Sequence, residues 1–239
     1  KFMLKAVFFD LDGTLLPLNE EKFTHAYFNL LADYMKQYGF EKKEIINIIS
    51  LGVKAMYLND GTKTNEEAFW DCFYGLTNDR LTDYKSIFTK FYSTSFLKTI
   101  ECTEPNPDAV KIIKEIKNLG LKVILTTNPI FPAIATNNRM GFIGLKLEDF
   151  DYVTSYENSK YTKPNPLYFN EVMDLFDLKS DEVILFGNNT KEDGDASRAL
   201  GIRCYLVTGN IIFNVDSVWN YKKIKMDQIL DIVRENLNK

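Results

Sequence analysis

Four short runs of consecutive apolar residues punctuate the chain: Val7-Phe8-Phe9, "LKVILTT" from Leu121 to Thr127, "EVILFG" from Glu182 to Gly187, and "IRCYLV" from Ile202 to Val207. Runs without polar alternation fit strands covered on both faces, as at the centre of a parallel sheet. A weaker fifth candidate is "DYVTS", Asp151 to Ser155. Helical periodicity fills the gaps. After Asn106 and Pro107, the residues Ala109, Ile112, Ile113 and Ile116 fall on one face, and Gly120 ends the segment. The same reasoning predicts helices beginning near Phe131 and Pro166, and a short one from about Asp193 to Leu200 closed by Gly201. Strands alternating with helices imply βαβ units and an α/β fold with a doubly wound parallel sheet.

Between Leu18 and about Ile100 the pattern changes. No strand-like run occurs there, whereas helical spacing recurs in "KFTHAYFNLLADYM", "EIINIISLGVKAMY", "EEAFWDCFYGL" and "YKSIFTKFYSTSF". Turn signals at Asn59 to Asn65 and Leu76 to Asp79 separate these helices. The expected organisation is an α/β core of residues 1–17 and 101–239, with residues 18–100 inserted as a helical cap. Aromatic residues crowd the inserted helices, among them Tyr27, Phe28, Phe69, Trp70, Phe73, Phe88 and Phe91. Core packing is their expected role rather than a substrate cage, because a small helical unit needs large side chains to bury enough area. His25, the single histidine, is expected on the surface or in cap packing, which leaves carboxylates, lysine and metal to carry any catalysis.

Composition narrows the function classes. With 239 residues, 45% hydrophobic and 26% charged, the chain is an ordinary globular protein of enzyme size. A net charge of -4 argues against a broad nucleic-acid surface, which needs clustered Lys and Arg. Cys72, Cys102 and Cys204 are odd in number and far apart, so reduced thiols in a cytoplasmic protein are expected rather than disulfides or a zinc site. No apolar run approaches the ~18 residues of a membrane span. Lys1 and Phe2 precede Met3, the expected natural start. Nothing in the pattern points to a protein partner.

Chemistry concentrates at the predicted strand ends, where an open parallel sheet gathers its ligands. Asp10 and Asp12 follow the first strand, and Gly13 permits a turn that would face both into one small volume. Thr126, Thr127 and Asn128 end another strand with hydroxyl and amide groups suited to phosphate oxygens. Lys163 precedes a proline-opened helix. Asn188, Glu192, Asp193 and Asp195 follow a further strand. Acceptors, hydroxyls, one ammonium and acids thus converge from four segments.

In these segments the chain resembles the haloacid dehalogenase-like (HAD) hydrolase superfamily, a Rossmann-like fold, and within it the C1-capped phosphatase branch. "DLDGT" is similar to the first family motif, "ILTTN" to the second with Thr127 at the matching position, and "KPNP" to the third with Lys163. "FGNNTKEDGDASRALGI" is similar to the fourth and aligns Asp193 with its second acidic position. The chain departs from the pattern at Asn188, where relatives carry a metal-binding aspartate. The resemblance implies a Mg²⁺-dependent hydrolase of a small phosphorylated metabolite. In that reading Asp10 is the nucleophile, Asp12 the general acid and base, and Thr127, Asn128 and Lys163 hold the phosphoryl oxygens. Asp10, Asp12, Asn188 and Asp193 supply the metal donors. Asp12 also speaks against the dehalogenase branch, which lacks an aspartate there. The competing readings are a sugar phosphomutase and a phosphate-binding regulatory protein without turnover.

Overall fold

The computed structural model describes residues 3–78, 80–217 and 219–237. Six strands form one sheet in the order β3-β2-β1-β4-β5-β6: β1 (Ala6–Phe9), β2 (Lys122–Leu125), β3 (Tyr152–Val153), β4 (Val183–Gly187), β5 (Arg203–Val207) and β6 (Lys222–Ile224). Every pairing is parallel, so the doubly wound α/β architecture is the one the apolar runs imply. β1 lies between β2 and β4, and its alternate side chains enter two different cores. Val7 and Phe9 belong to one buried cluster, Ala6 and Phe8 to the other. That two-residue alternation explains why the strand reads as continuously apolar.

Between β1 and β2 the chain builds α1 (Glu20–Met35), α2 (Lys42–Tyr57), α3 (Asn65–Thr77), α4 (Tyr84–Ser93) and the amphipathic α5 (Ala109–Asn118). A 3-10 turn over Ser95–Cys102 ends the inserted helices. Thr64 and Glu67 make a reciprocal capping box that starts α3, as Thr-x-x-Glu before an apolar face should. The turn expected at Leu76 to Asp79 is present in part: Asn78 takes a left-handed cap, and Asp79 lies outside the described residues, as do Lys1 and Phe2. The helical segment is tied to the sheet side. Asn65 N–H donates to Ser159 O at 2.8 Å, Glu66 N–H to Tyr156 O at 2.8 Å, and Asn138 Nδ2 to Tyr92 O at 2.9 Å.

The second half adds α6 (Ala133–Gly141), α7 (Leu167–Leu175), α8 (Ala196–Arg198) and α9 (Ile229–Leu237). α7 covers the second core with Tyr168, Phe169, Val172 and Met173. The helix expected from Asp193 to Leu200 differs in form. A π-helical turn spans Thr190–Asp195, and only the three residues of α8 continue as α-helix. Asn189 causes this locally: its side chain accepts from Lys191 and Glu192 N–H, and its carbonyl accepts from Asp193 and Gly194 N–H at 3.0 and 3.1 Å. Before α5, Asn106 Oδ1 accepts from Asp108 N–H at 3.2 Å in the manner of a cap, while its Nδ2 donates to Leu15 O at 2.7 Å. Among the described residues no helix is long and apolar enough to cross a membrane.

Candidate functional site

β1 is flanked by β2 on one side and β4 on the other, so the chain leaves the sheet in opposite directions at its carboxyl end. Such a switch point opens a crevice for ligands. Asp10 is the first residue past β1, and its N–H donates to Phe186 O at 2.9 Å, which fixes it against the tip of β4. Gly13, at φ +78, turns the chain back. A Cβ there would lie 2.1 Å from Asn188 Nδ2, so the turn requires glycine for both conformation and space.

Lys163 sits behind the carboxylates at 1% exposure. Its Nζ donates to Asp10 Oδ1 at 2.8 Å and to Asp193 Oδ1 at 2.6 Å. The second Asp193 oxygen accepts from Asn188 and Asn189 N–H, both at 3.0 Å, so both oxygens of this carboxylate are engaged. Gly187 makes room: a Cβ there would stand 2.4 Å from the Asp193 carboxyl. Burial would lower the Lys163 pKa, but the two facing carboxylates outweigh it and hold the ammonium charged. Burial pushes Asp10 up to about 7 against the pull of Lys163, with Asp193 adding to the rise. Thr14 Oγ1 donates to the other Asp10 oxygen at 3.3 Å.

Asp12 meets a residue that sequence reasoning missed. Arg139, 1% exposed on α6, donates through Nη1 to Asp12 Oδ2. Nη2 donates to Thr136 Oγ1 and Nε to Ala135 O, each at 3.3 Å, and the guanidinium lies 4.6 Å from the centre of the Phe131 ring. The signal was an arginine four residues after Ala135 and three after Thr136, on the helix face that must turn inward. Burial raises the Asp12 pKa, and Arg139 pulls it back only in part.

Asp10, Asp12, Thr127, Asn128, Asn188 and Asp193 all border one cavity of about 240 Å³, while Lys163 stands behind its wall. Asn128 is held on several sides: Nδ2 donates to Tyr57 Oη at 3.1 Å and Glu192 Oε2 at 3.2 Å, and Oδ1 accepts from Lys163 N–H at 3.2 Å. The Thr127 carbonyl accepts from the Thr154 and Tyr168 hydroxyls at 2.8 Å. Thr126 lies elsewhere, its hydroxyl donating to Phe9 O at 3.2 Å. Asp195 likewise turns away and accepts from Ser217 and Tyr221. The two readings of the aromatic residues divide them: Tyr27, Phe28, Phe69, Trp70 and Phe88 line the cavity, whereas Phe73 and Phe91 are fully buried in packing. His25 is exposed, and its ring hydrogen-bonds locally with Asn29 Nδ2 at 3.2 Å.

Asp10, Asp12 and Asn188 bring oxygen donors to one end of the cavity, and the buried Asp12 Oδ1 has no hydrogen-bond partner among the described residues. An all-oxygen set with few carboxylates suits a hard divalent cation completed by substrate and water oxygens. Among the described residues no three His, Cys, Asp or Glu side chains enclose a cation by themselves. Asn188 Nδ2 donates to Asn210 O at 2.8 Å. Asn188→Asp is therefore expected to tighten Mg²⁺ at least about tenfold, the equivalent of ~1.4 kcal/mol. It should also cost about 1–3 kcal/mol of stability without metal, because the Asn210 carbonyl loses its donor. Calorimetry with Mg²⁺ and melting with chelator check both signs; unchanged metal affinity would remove Asn188 from the metal set.

A sequence profile described as haloacid dehalogenase-like hydrolase matches residues 7–207. Pyrophosphatase PpaX of Halalkalibacterium halodurans is 25% identical over 241 residues, covering 96% of this chain and 97% of that protein. Among solved structures, an HAD phosphatase from Thermococcus onnurineus superposes with TM-score 0.61 at 19% identity, over 96% of this chain and 98% of its own. A 2-haloacid dehalogenase from Pseudomonas syringae pv. Tomato DC3000 does so with TM-score 0.62 at 16% identity, over 98% and 99%. At such identities the structural likeness establishes the fold, which hosts more than one reaction.

Proposed function

The chain belongs to the haloacid dehalogenase-like hydrolase family, and from that premise we propose that it hydrolyses monoesters of phosphate through an aspartyl-phosphate on Asp10. The observation that carries this reading is the opening of Asp10 and Asp12 onto one cavity at the switch point, with an ammonium locked behind Asp10. In the first half-reaction an Asp10 oxygen attacks phosphorus, the bond to the leaving oxygen breaks, and Asp12 gives that oxygen a proton. In the second, Asp12 takes a proton from water, the water oxygen attacks phosphorus, and the bond to Asp10 breaks. Burial that raises the Asp12 pKa favours its acid form, and Arg139 limits the rise so that the carboxylate can return as base.

Thr127, Asn128 and Lys163 are assigned to the transferring phosphoryl oxygens, Lys163 through its charge and through its grip on Asp10. Mg²⁺, held by the Asp10 and Asn188 side chains and the Asp12 main-chain carbonyl so that the Asp12 carboxyl stays free for the proton, would supply the positive charge that favours ionised Asp10 and offsets its repulsion of the substrate. Asp193 serves in this reading as the anchor of Lys163 and supports the metal site through it. Residues 18–100 form the cap of the C1 branch. The two chain crossings run side by side, with Leu18 bridged to Thr103 and Glu104 N–H donating to Pro17 O at 2.9 Å.

Release of inorganic phosphate from phenyl phosphate with Mg²⁺ tests the reaction class, and conversion of a sugar phosphate only to its positional isomer, with no phosphate released, would indicate a mutase. Asp12→Asn separates the two half-reactions. With an activated aryl leaving group, which needs little protonation, phosphoenzyme formation should survive better than its hydrolysis, so trapped phosphoenzyme should accumulate. Equal slowing of both steps, for good and poor leaving groups alike, would remove Asp12 from the acid and base role.

A further inference from the structure

Beyond its carboxylate end, the cavity passes into the inserted helices and becomes a wall of carbon. Phe23, Val53, Phe69, Trp70, Phe88 and Phe131 face it, and Phe23, Phe69, Trp70 and Phe88 are buried. The polar atoms of its aromatic side chains pair largely with one another. The Tyr27 and Tyr92 hydroxyls pair at 3.1 Å, and Trp70 Nε1 donates to Tyr156 Oη at 3.3 Å. A polyol body placed there would give up hydrogen bonds to water and find few replacements.

Charge gives a second, independent constraint. Among the described residues the two cations at the site are committed: Arg139 to Asp12, and Lys163 to Asp10 and Asp193. The remaining ionisable carboxyls on the cavity are Glu20 at its rim and Glu192 beside Asn128. A second anionic group on the substrate would therefore meet acids and aromatic rings rather than a free cation. Burial is favourable only for an uncharged, water-averse body.

We propose that the phosphate ester accepted by this site carries an uncharged, largely apolar body, aromatic or branched aliphatic, seated among the inserted helices. This rests on the phosphatase reading above and specifies its substrate class. A diphosphate or a sugar phosphate is the poorer fit.

Calorimetry on the wild-type protein with Mg²⁺ tests the class without turnover, using benzylphosphonate, methylphosphonate and 2,3-dihydroxypropylphosphonate. Benzylphosphonate should bind at least about tenfold tighter than methylphosphonate, as burial of a ring-sized apolar body implies. The dihydroxypropyl compound should gain little over methylphosphonate. Equal affinity for all three, or tightest binding of the hydroxylated one, would overturn the proposal. Val53→Asn places an uncharged polar amide on the half-buried cavity wall of α2 and should lower the ratio of benzylphosphonate to methylphosphonate affinity at least about threefold. The wild-type ranking decides the matter even if that variant folds poorly. Phosphate release from benzyl phosphate and glycerol phosphate, both alkyl esters, separates the two layers of inference. A retained binding preference with no turnover of either ester would sink the phosphatase reading and keep the ligand class. Faster turnover of glycerol phosphate would sink the class and keep the reaction.

Discussion

Asp10→Asn should lower turnover at least about a thousandfold, equivalent to ~4 kcal/mol of barrier, while leaving the fold in place. The substitution keeps the shape of the side chain and removes its nucleophilic charge. Lys163 would retain Asp193 at 2.6 Å, so the buried ammonium is not stranded. Steady-state phosphate release, together with a search for trapped phosphoenzyme, is the direct measurement. Activity near the wild-type level in a carefully purified variant would refute covalent catalysis by Asp10.

Lys163→Met should be the more damaging change for stability. It leaves the Asp10 and Asp193 carboxylates, 10% and 1% exposed, facing each other without the cation between them. Removing one partner from a buried ion pair costs about 3–5 kcal/mol. For a chain of this size that amounts to roughly 6–20 °C in melting temperature. The loss should depend on pH in a defined direction. Burial pushes Asp10 up to about 7 even with Lys163 present, above the ~3.9 of an unfolded aspartate, and loss of the cation raises it further. A carboxyl raised in this way makes the folded state take up protons, so stability falls as pH rises between the two values and recovers as pH falls. The deficit of Lys163→Met relative to wild type should therefore shrink from pH 8 to pH 5, measured by thermal melting with chelator. A deficit independent of pH would mean that lost packing, not stranded charge, accounts for it.

The strands that frame the crevice were legible because burial on both faces writes itself as unbroken apolar sequence, as in Val7 to Phe9 and Val183 to Phe186. β6 was not legible for the opposite reason. Lys222-Lys223-Ile224 is short and charged, as an edge strand that avoids further pairing tends to be. α9 carries a readable spacing in Ile229, Ile232 and Val233, which the reading of the chain leaves unassigned. At the site, residues clustered in short motifs at strand ends could be found from sequence. Arg139 lies on a helix distant in sequence from Asp12, and their meeting depends on how α6 packs against the sheet. The partners of Asp193 were hidden in the same way: its type suggested a metal donor, and nothing in the sequence shows that Lys163 and two backbone amides engage its oxygens.

The π-helical turn over Thr190–Asp195 has a further effect on that pair of neighbouring acids. Consecutive residues on a regular helix point about 100° apart, so Glu192 and Asp193 leave the backbone in different directions although both border the cavity. The widened turn sets the angular phase. Asp193 swings under the tip of β4 to meet Lys163, and Glu192 is left beside Asn128 on the cavity wall. Two adjacent carboxyl groups of nearly the same chemistry thus occupy different electrical settings, one matched to a cation and the other pushed by burial up to about 8. Backbone winding, rather than side-chain identity, decides which acid braces the buried ammonium and which lies beside Asn128.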